Sequence, residues 1–178
     1  FSFLHVRDSH YIYADIPLLL VLLGAYFPIF RIMERENRRD YVLFGILLGM
    51  AVATKYNGVL ILVPFLIAHF VQAGRSKEFR IVTFDLLIAA AVSFVVYSVL
   101  NPFSWLDFNY FANELRGQGK AEAFVGIFHH LTYSLNSGLG FPILVFAVMG
   151  IGALFFKPDP KRFILLSFIL VYYFVLCF

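Results

Sequence analysis

Cysteine is almost missing from this 178-residue chain. Cys177 stands alone, which excludes an internal disulfide and any cysteine-rich metal site. Charge is scarce too, at 14% of residues where a soluble domain carries about 25%. No phosphate-binding P-loop, glycine-rich dinucleotide turn, zinc-protease helix or serine elbow occurs, so soluble-enzyme chemistry has no foothold. There is no internal repeat of solenoid length and no low-complexity tract.

What fills the chain is apolar. Hydrophobic residues make up 61% of it, 23 of them phenylalanine. Uncharged runs cover Ile16–Phe30, Tyr41–Thr54, Tyr56–Gly74, Leu86–Leu106, Ala123–Phe156 and Phe163–Phe178. A soluble core of this size cannot absorb so many, whereas a multi-pass membrane protein can. The expected fold class is therefore all-α, a polytopic transmembrane bundle with helices near 11–30, 41–55, 57–74, 82–100, 141–156 and 163–178. The chain opens at Phe1 and stops at Phe178 inside an apolar run. We expect it to be one part, 1–178, of a larger transmembrane domain, with a helix upstream and a further domain downstream; no cleavable signal peptide is visible.

The positions of the basic residues set the topology. Ten of the fourteen fall in three turns: Arg31, Arg35, Arg38 and Arg39; Arg75, Lys77 and Arg80; Lys157, Lys161 and Arg162. Arg7, Lys55, Arg116 and Lys120 fall in the intervening connections. If six helices cross alternately, the rich turns share one face and the other four share the opposite one. The positive-inside rule assigns the rich turns to the cytoplasm. It also explains the net charge of +3 without a nucleic-acid partner. The 101–140 segment then becomes a long non-cytoplasmic loop.

Helix two is short for a span. It contains Gly45-Ile46-Leu47-Leu48-Gly49, the small-xxx-small spacing that lets two helix backbones approach, so it is expected to pack against other helices. Lys55 belongs at or just inside the outer boundary, where its plainer role is that of a snorkelling anchor. Asp85, one turn into helix four and five residues from Arg80, reads as an interfacial carboxylate.

The densest chemistry lies in Arg7-Asp8-Ser9-His10-Tyr11-Ile12-Tyr13-Ala14-Asp15, which runs straight into the first apolar stretch. Ionised groups at a hydrocarbon boundary cost free energy, which makes them functional candidates. On a continuing helix, Asp8 and Asp15 would share a face two turns apart. Arg7 and Asp8 can equally cap and solvate a helix start. In the outer loop, Phe108–Lys120 reads as an amphipathic helix lying on the membrane. Arg116 and Lys120 bracket Gly117-Gln118-Gly119, a basic turn able to approach a phosphate or simply a solvated loop. His129-His130 diverge by about 100° on a helix and cannot easily share a metal; His69 is given no role.

The stretch Arg7-Asp8-Ser9-His10 followed by Asp15-Ile16-Pro17-Leu18 resembles the R-x-S-H-(4)-D-x-P-L pattern of the dolichyl-phosphate-mannose–protein mannosyltransferase-like family. Gly45–Tyr56, reading GILLGMAVATKY, is similar to that family's G-x-x-x-G-x-A-x-x-T-K-Y helix. Asn101-Pro102-Phe103, and Tyr133 with Gly138-Leu139-Gly140-Phe141-Pro142, resemble later landmarks in the same order.

The resemblance implies an integral-membrane glycosyltransferase of the C-type fold. Such enzymes move a sugar from a polyprenyl-phosphate donor to a protein, lipid or glycan acceptor on the non-cytoplasmic side. The family's main catalytic acid would lie upstream of Phe1, so 1–178 alone is expected to be inactive. Asp15 with His10, supported by Asp8, would line the same cavity as catalytic residues. Lys55, Arg116 and Arg7 would meet the donor phosphate, and the carrier's tail would need an apolar groove between helices. The resemblance names no definite cofactor and leaves a divalent metal ion open, with Asp8, His10 and Asp15 as possible ligands. A prokaryotic plasma membrane is expected ahead of an endoplasmic-reticulum one. The rival readings are a secondary transporter, which would place ionisable groups near the midplane, and a non-catalytic scaffold.

Overall fold

The computed structural model describes residues 13–75, 83–118, 140–156 and 159–177. Every regular element among them is helical: α1 (Asp15–Glu34), α2 (Arg38–Thr54), a 3-10 stretch (Tyr56–Ile61) running into α3 (Leu62–Ala73), α4 (Phe84–Leu100), α5 (Phe103–Leu106), α6 (Phe108–Gln118), α7 (Phe141–Phe155) and α8 (Pro160–Cys177). Two continuous helical stretches, Asp15–Glu34 and Tyr56–Ala73, are long and apolar enough to cross a membrane by length and composition; Phe84–Leu100 and Phe141–Phe155 are shorter apolar helices.

Prolines bear on the geometry of two helix starts. The first helix was expected from residue 11, yet Tyr13 and Ala14 precede it. Pro17 has no N–H for the Tyr13 carbonyl, and its ring crowds that oxygen, so the first turn after Ala14 is a favoured place for the helix to begin. The same constraint acts at Pro64. The third span begins as a tighter 3-10 turn, in which the Leu62 N–H donates to Val59, and becomes α-helical only at Leu62. Side-chain caps fix two other starts: the Asn37 carbonyl oxygen accepts from the Arg39 N–H at 3.1 Å, and Thr83 Oγ1 from the Leu86 N–H at 3.2 Å.

Alternation of direction follows from the contacts. The end of α1 meets the start of α2 through Arg31 and Asp40, while the start of α1 meets the end of α2 through Asp15 and Lys55. These two helices are antiparallel. Tyr41 and Phe44 of α2 pack on His69 and Phe65 of α3, antiparallel again. Helix α4 runs parallel to α2, with Arg38 beside Asp85 at one end and the Asn101 side-chain amide donating to the Ala53 carbonyl at the other. Helix α8 starts where α1 ends, through Lys161 and Glu34, and passes Tyr26 with Phe168.

Within a bilayer, burying apolar surface against another helix gains little over lipid, so close packing has to hold the helices together. Helices α2 and α4 supply it. A Cβ on Gly45 would fall 2.6 Å from the Ala89 carbonyl oxygen, and one on Gly49 would fall 2.7 Å from that of Ser93. The small-xxx-small face expected in helix two is thus the seam against α4. On the other side of α2, Phe44 stacks on Phe65 with ring centroids 3.9 Å apart, both rings buried.

His69, to which sequence reading gave no role, is fully buried, with Nδ1 2.8 Å from the Tyr41 hydroxyl. A polar pair at this depth is tolerated because each partner satisfies the other. Sequence periodicity offered no sign of it, since the two residues lie on different helices.

Candidate functional site

The helices sort their charge to two ends, leaving the stretches between almost clean. At one end lie Arg31, Arg35, Arg38, Arg75 and Lys161. Arg31 Nε sits 3.1 Å from Asp40 and Arg35 Nε 3.9 Å from it, around a carboxylate that is 2% exposed. Arg38 Nε donates to Asp85 at 2.7 Å while its guanidinium lies over the Phe84 ring. Asp85 is therefore the partner of Arg38 and nearly buried. Arg75 donates to the Met33 carbonyl at 3.1 Å, tying the end of α3 to the end of α1. Beyond the apolar run of α1, the exposed Lys161 bonds Glu34 at 2.5 Å. That hydrogen bond, with the ammonium charge behind it, lowers the Glu34 pKa and raises that of Lys161.

The opposite end holds the candidate site. Asp15 opens α1, and Lys55 is the residue that closes α2. The Lys55 ammonium donates to Asp15 Oδ1 at 2.6 Å, with side-chain exposures of 42% and 49%. The pair is charged, open to its surroundings and fixed at both helix ends. Lys55 is more than a snorkelling chain: its extended backbone turns the polypeptide from α2 into the 3-10 stretch, and its ammonium has a set address.

Five further contacts assemble the rim around this pair. Asn101, beyond the last turn of α4, is anchored to Ala53. The Tyr97 hydroxyl lies 2.9 Å from the Ser104 hydroxyl, and Trp105 packs against Phe94 and Tyr97. The Tyr56 ring, next to Lys55 in sequence, meets Phe111 of α6 edge-on at 6.0 Å between centroids. That last contact docks α6 at the Asp15–Lys55 end. The amphipathic helix expected at Phe108–Lys120 is thus present as Phe108–Gln118 and seated at the rim. Short helix α5 and the rim role of Tyr56 had no signal in the sequence beyond the Asn-Pro-Phe and Thr-Lys-Tyr strings.

Of the residues singled out by sequence, Asp15 and Lys55 are brought into direct contact. Arg116 is exposed on α6, the helix whose Phe111 meets Tyr56. Arg7, Asp8, His10, Lys120, His129 and His130 lie outside the described residues. Among the described residues no three histidine, cysteine or carboxylate groups gather as a metal site; Asp8 and His10, the other two donors the resemblance offers, lie outside them.

The family model described as dolichyl-phosphate-mannose-protein mannosyltransferase matches residues 1–102, more than half of the chain. The chain belongs to the dolichyl-phosphate-mannose-protein mannosyltransferase family. Membership makes it a helical membrane glycosyltransferase, as the resemblance implied. The matched stretch contains Asp15, Lys55 and Asn101 and ends before α6, so Arg116 draws no support from it. No curated protein and no solved structure matches the chain.

Proposed function

We propose that this protein transfers a sugar from a polyprenyl-phosphate carrier to an acceptor on the non-cytoplasmic face, with the reaction centred on the Asp15–Lys55 rim. The observation that carries the reading is the 2.6 Å contact between these two groups, at the bundle end opposite the buried arginine–carboxylate pairs. A lipid-linked donor has its phosphate at the membrane boundary, and the Lys55 ammonium is at that level on a fixed stem.

In this reading the acceptor nucleophile attacks the anomeric carbon as the bond from that carbon to the phosphate oxygen breaks. The sugar moves, and the carrier leaves as polyprenyl phosphate carrying one more negative charge. A cation held near the leaving oxygen stabilises that charge as it develops. Lys55 supplies it, and Asp15 keeps the ammonium aimed at the rim. Arg116 and Arg7 are the further phosphate-facing cations. The acceptor proton needs a carboxylate, for which Asp15, with Asp8 and His10, belongs to the lining of the same cavity. A single displacement inverts the anomeric centre.

The test is transfer by the full-length protein in proteoliposomes, using a radiolabelled polyprenyl-phosphate sugar and peptide, lipid and glycan acceptors. Transfer that needs the phosphate-linked donor and collapses in Lys55→Met supports the reading. Transfer from a nucleotide sugar alone, or full activity in Lys55→Met, contradicts it.

A further inference from the structure

Helix α2 is packed on three sides and open on the fourth. Asp40 and Leu47 face α1, where they lie beside Arg31 and Gly24; Tyr41 and Phe44 face α3; Gly45 and Gly49 face α4. The face left over, between α1 and α4, carries Arg39, Leu43, Ile46 and Met50 at spacings of four, three and four residues, one stripe of the helix. Leu43 is 36% exposed and Ile46 and Met50 37%, against 73% for Leu20 of α1 and 55% for Leu87 of α4. The stripe is therefore recessed between its neighbours.

At the arginine-rich end it opens into a recess of about 520 Å³ lined by Asn37, Arg38, Arg39, Val42, Leu43 and Ile46. Both arginines are exposed. The Arg38 Nε is engaged by Asp85, which leaves the terminal nitrogens of a guanidinium whose side chain is still 63% exposed. Among the described residues Arg39 has no carboxylate partner, because the nearby acids are taken elsewhere. Asp40 is held between Arg31 and Arg35, and Glu36 accepts from Gln72 of α3. The recess is left positive at its head and apolar below.

From Arg39 to Met50 the helix rises about 16 Å, close to half of the ~30 Å hydrocarbon core and so about one leaflet. Cations at headgroup level over an apolar stripe one leaflet long match the polarity of a phospholipid with an anionic head. A zwitterionic head would bring a further cation against the two arginines.

We propose that this face binds an anionic glycerophospholipid of the leaflet at the arginine-rich end, with its phosphate on Arg39 and Arg38 and an acyl chain along Leu43, Ile46 and Met50. The site lies at the opposite end of the bundle from the Asp15–Lys55 rim and is independent of the donor reading.

Two measurements on the full-length protein test it. In proteoliposomes, phosphatidylglycerol with a diazirine in one acyl chain is photolysed beside phosphatidylcholine carrying the same chain, and cross-linked peptides are sequenced. Adducts on residues 42–50 should be about fivefold more frequent with the anionic probe. Arg39→Gln should bring that ratio close to one. Arg39→Lys keeps the charge that orients the helix but not the guanidinium fork, and should hold the ratio above one. Equal labelling of the parent by both probes, or anionic-probe adducts confined to other segments, overturns the inference. In detergent, added phosphatidylglycerol should raise the unfolding temperature of the parent more than the same amount of phosphatidylcholine does, and this difference should vanish in Arg39→Gln. An equal rise with glycerol 3-phosphate would assign the effect to a free phosphate and overturn the lipid site, as would a difference that persists in Arg39→Gln.

Discussion

Asp15 and Lys55 are forty residues apart in sequence and 2.6 Å apart in the fold, because one opens α1 and the other closes its antiparallel neighbour. Both side chains are close to half exposed. An exposed pair of this kind contributes at most about 1 kcal/mol to stability. Structure alone therefore gives little reason to hold two ions at a hydrocarbon boundary, which is what points to chemistry at this rim.

Stability and turnover should separate at this pair. Asp15→Asn and Lys55→Met in the full-length protein are expected to insert and to unfold within about 1 kcal/mol of the parent. Sugar transfer should fall by about a hundredfold or more, the scale of losing a group that stabilises transition-state charge. Thermal unfolding in detergent and a transfer assay, run on the same preparations, decide this. Parent-like turnover in both variants would remove the pair from the reaction.

The glycine seam makes a stability prediction independent of function. Gly49→Val must displace the Ser93 carbonyl and Val96, both held by helix backbone, and should cost about 1–3 kcal/mol. Gly24→Ala is the control: its Cβ would lie 3.7 Å from Leu47 Cδ2, an ordinary contact, and stability should hold or rise slightly. Equal unfolding midpoints for the two variants would contradict the seam.

At the arginine-rich end, Asp40 sits between Arg31 and Arg35 at 2% exposure. Asp40→Ala leaves two cations facing a space built for an anion, and about 1–3 kcal/mol of destabilisation is expected. Adding Arg31→Met should restore part of it, because the coupling lies between neighbours. Strict additivity of the two substitutions in a double-mutant cycle would show that the contact contributes nothing.

The Glu34–Lys161 contact predicts the sign of a pH effect on the docking of α8 to α1. The Glu34 pKa is lowered in the fold, chiefly by the hydrogen bond from Lys161. Its contribution is present above the unfolded carboxylate value and is lost as pH falls through the lowered one. Lys161 is shifted upward, so its contribution is lost only as pH rises through that raised value. The distance between spin labels on cysteines placed at Glu36 and Asp159, read by pulsed EPR on samples frozen at each pH, should be constant near neutrality and broaden in acid, and Glu34→Gln should remove the pH dependence. Broadening in acid that persists in Glu34→Gln assigns the effect elsewhere.

Much of this arrangement was legible in the sequence because membrane helices write themselves as uncharged runs. Alternation plus the basic turns placed Asp15 and Lys55 at one end before any coordinates, and Gly45 with Gly49 announced a close helix contact. The identity of partners was not legible. Asp85 was read only as an interfacial carboxylate, and nothing in the sequence pointed to its partner Arg38, 47 residues away. His69 carried no signal for Tyr41, and although alternation made α2 and α4 parallel, nothing in the sequence showed that these two helices are packed together. Hydropathy also cannot see a 3-10 turn, since Tyr56–Ile61 is apolar in either helix type; only Pro64 hinted at it.

The central claim is that the Asp15–Lys55 rim faces the side opposite the arginine-rich turns. It is tested most directly by single cysteines at Asn57 and at Arg39, in a full-length background with native cysteines replaced, labelled in intact cells by a membrane-impermeant thiol reagent. Labelling at Asn57 from outside, with Arg39 reacting only after permeabilisation, is the predicted result. Labelling of Arg39 in intact cells with Asn57 protected would contradict the account.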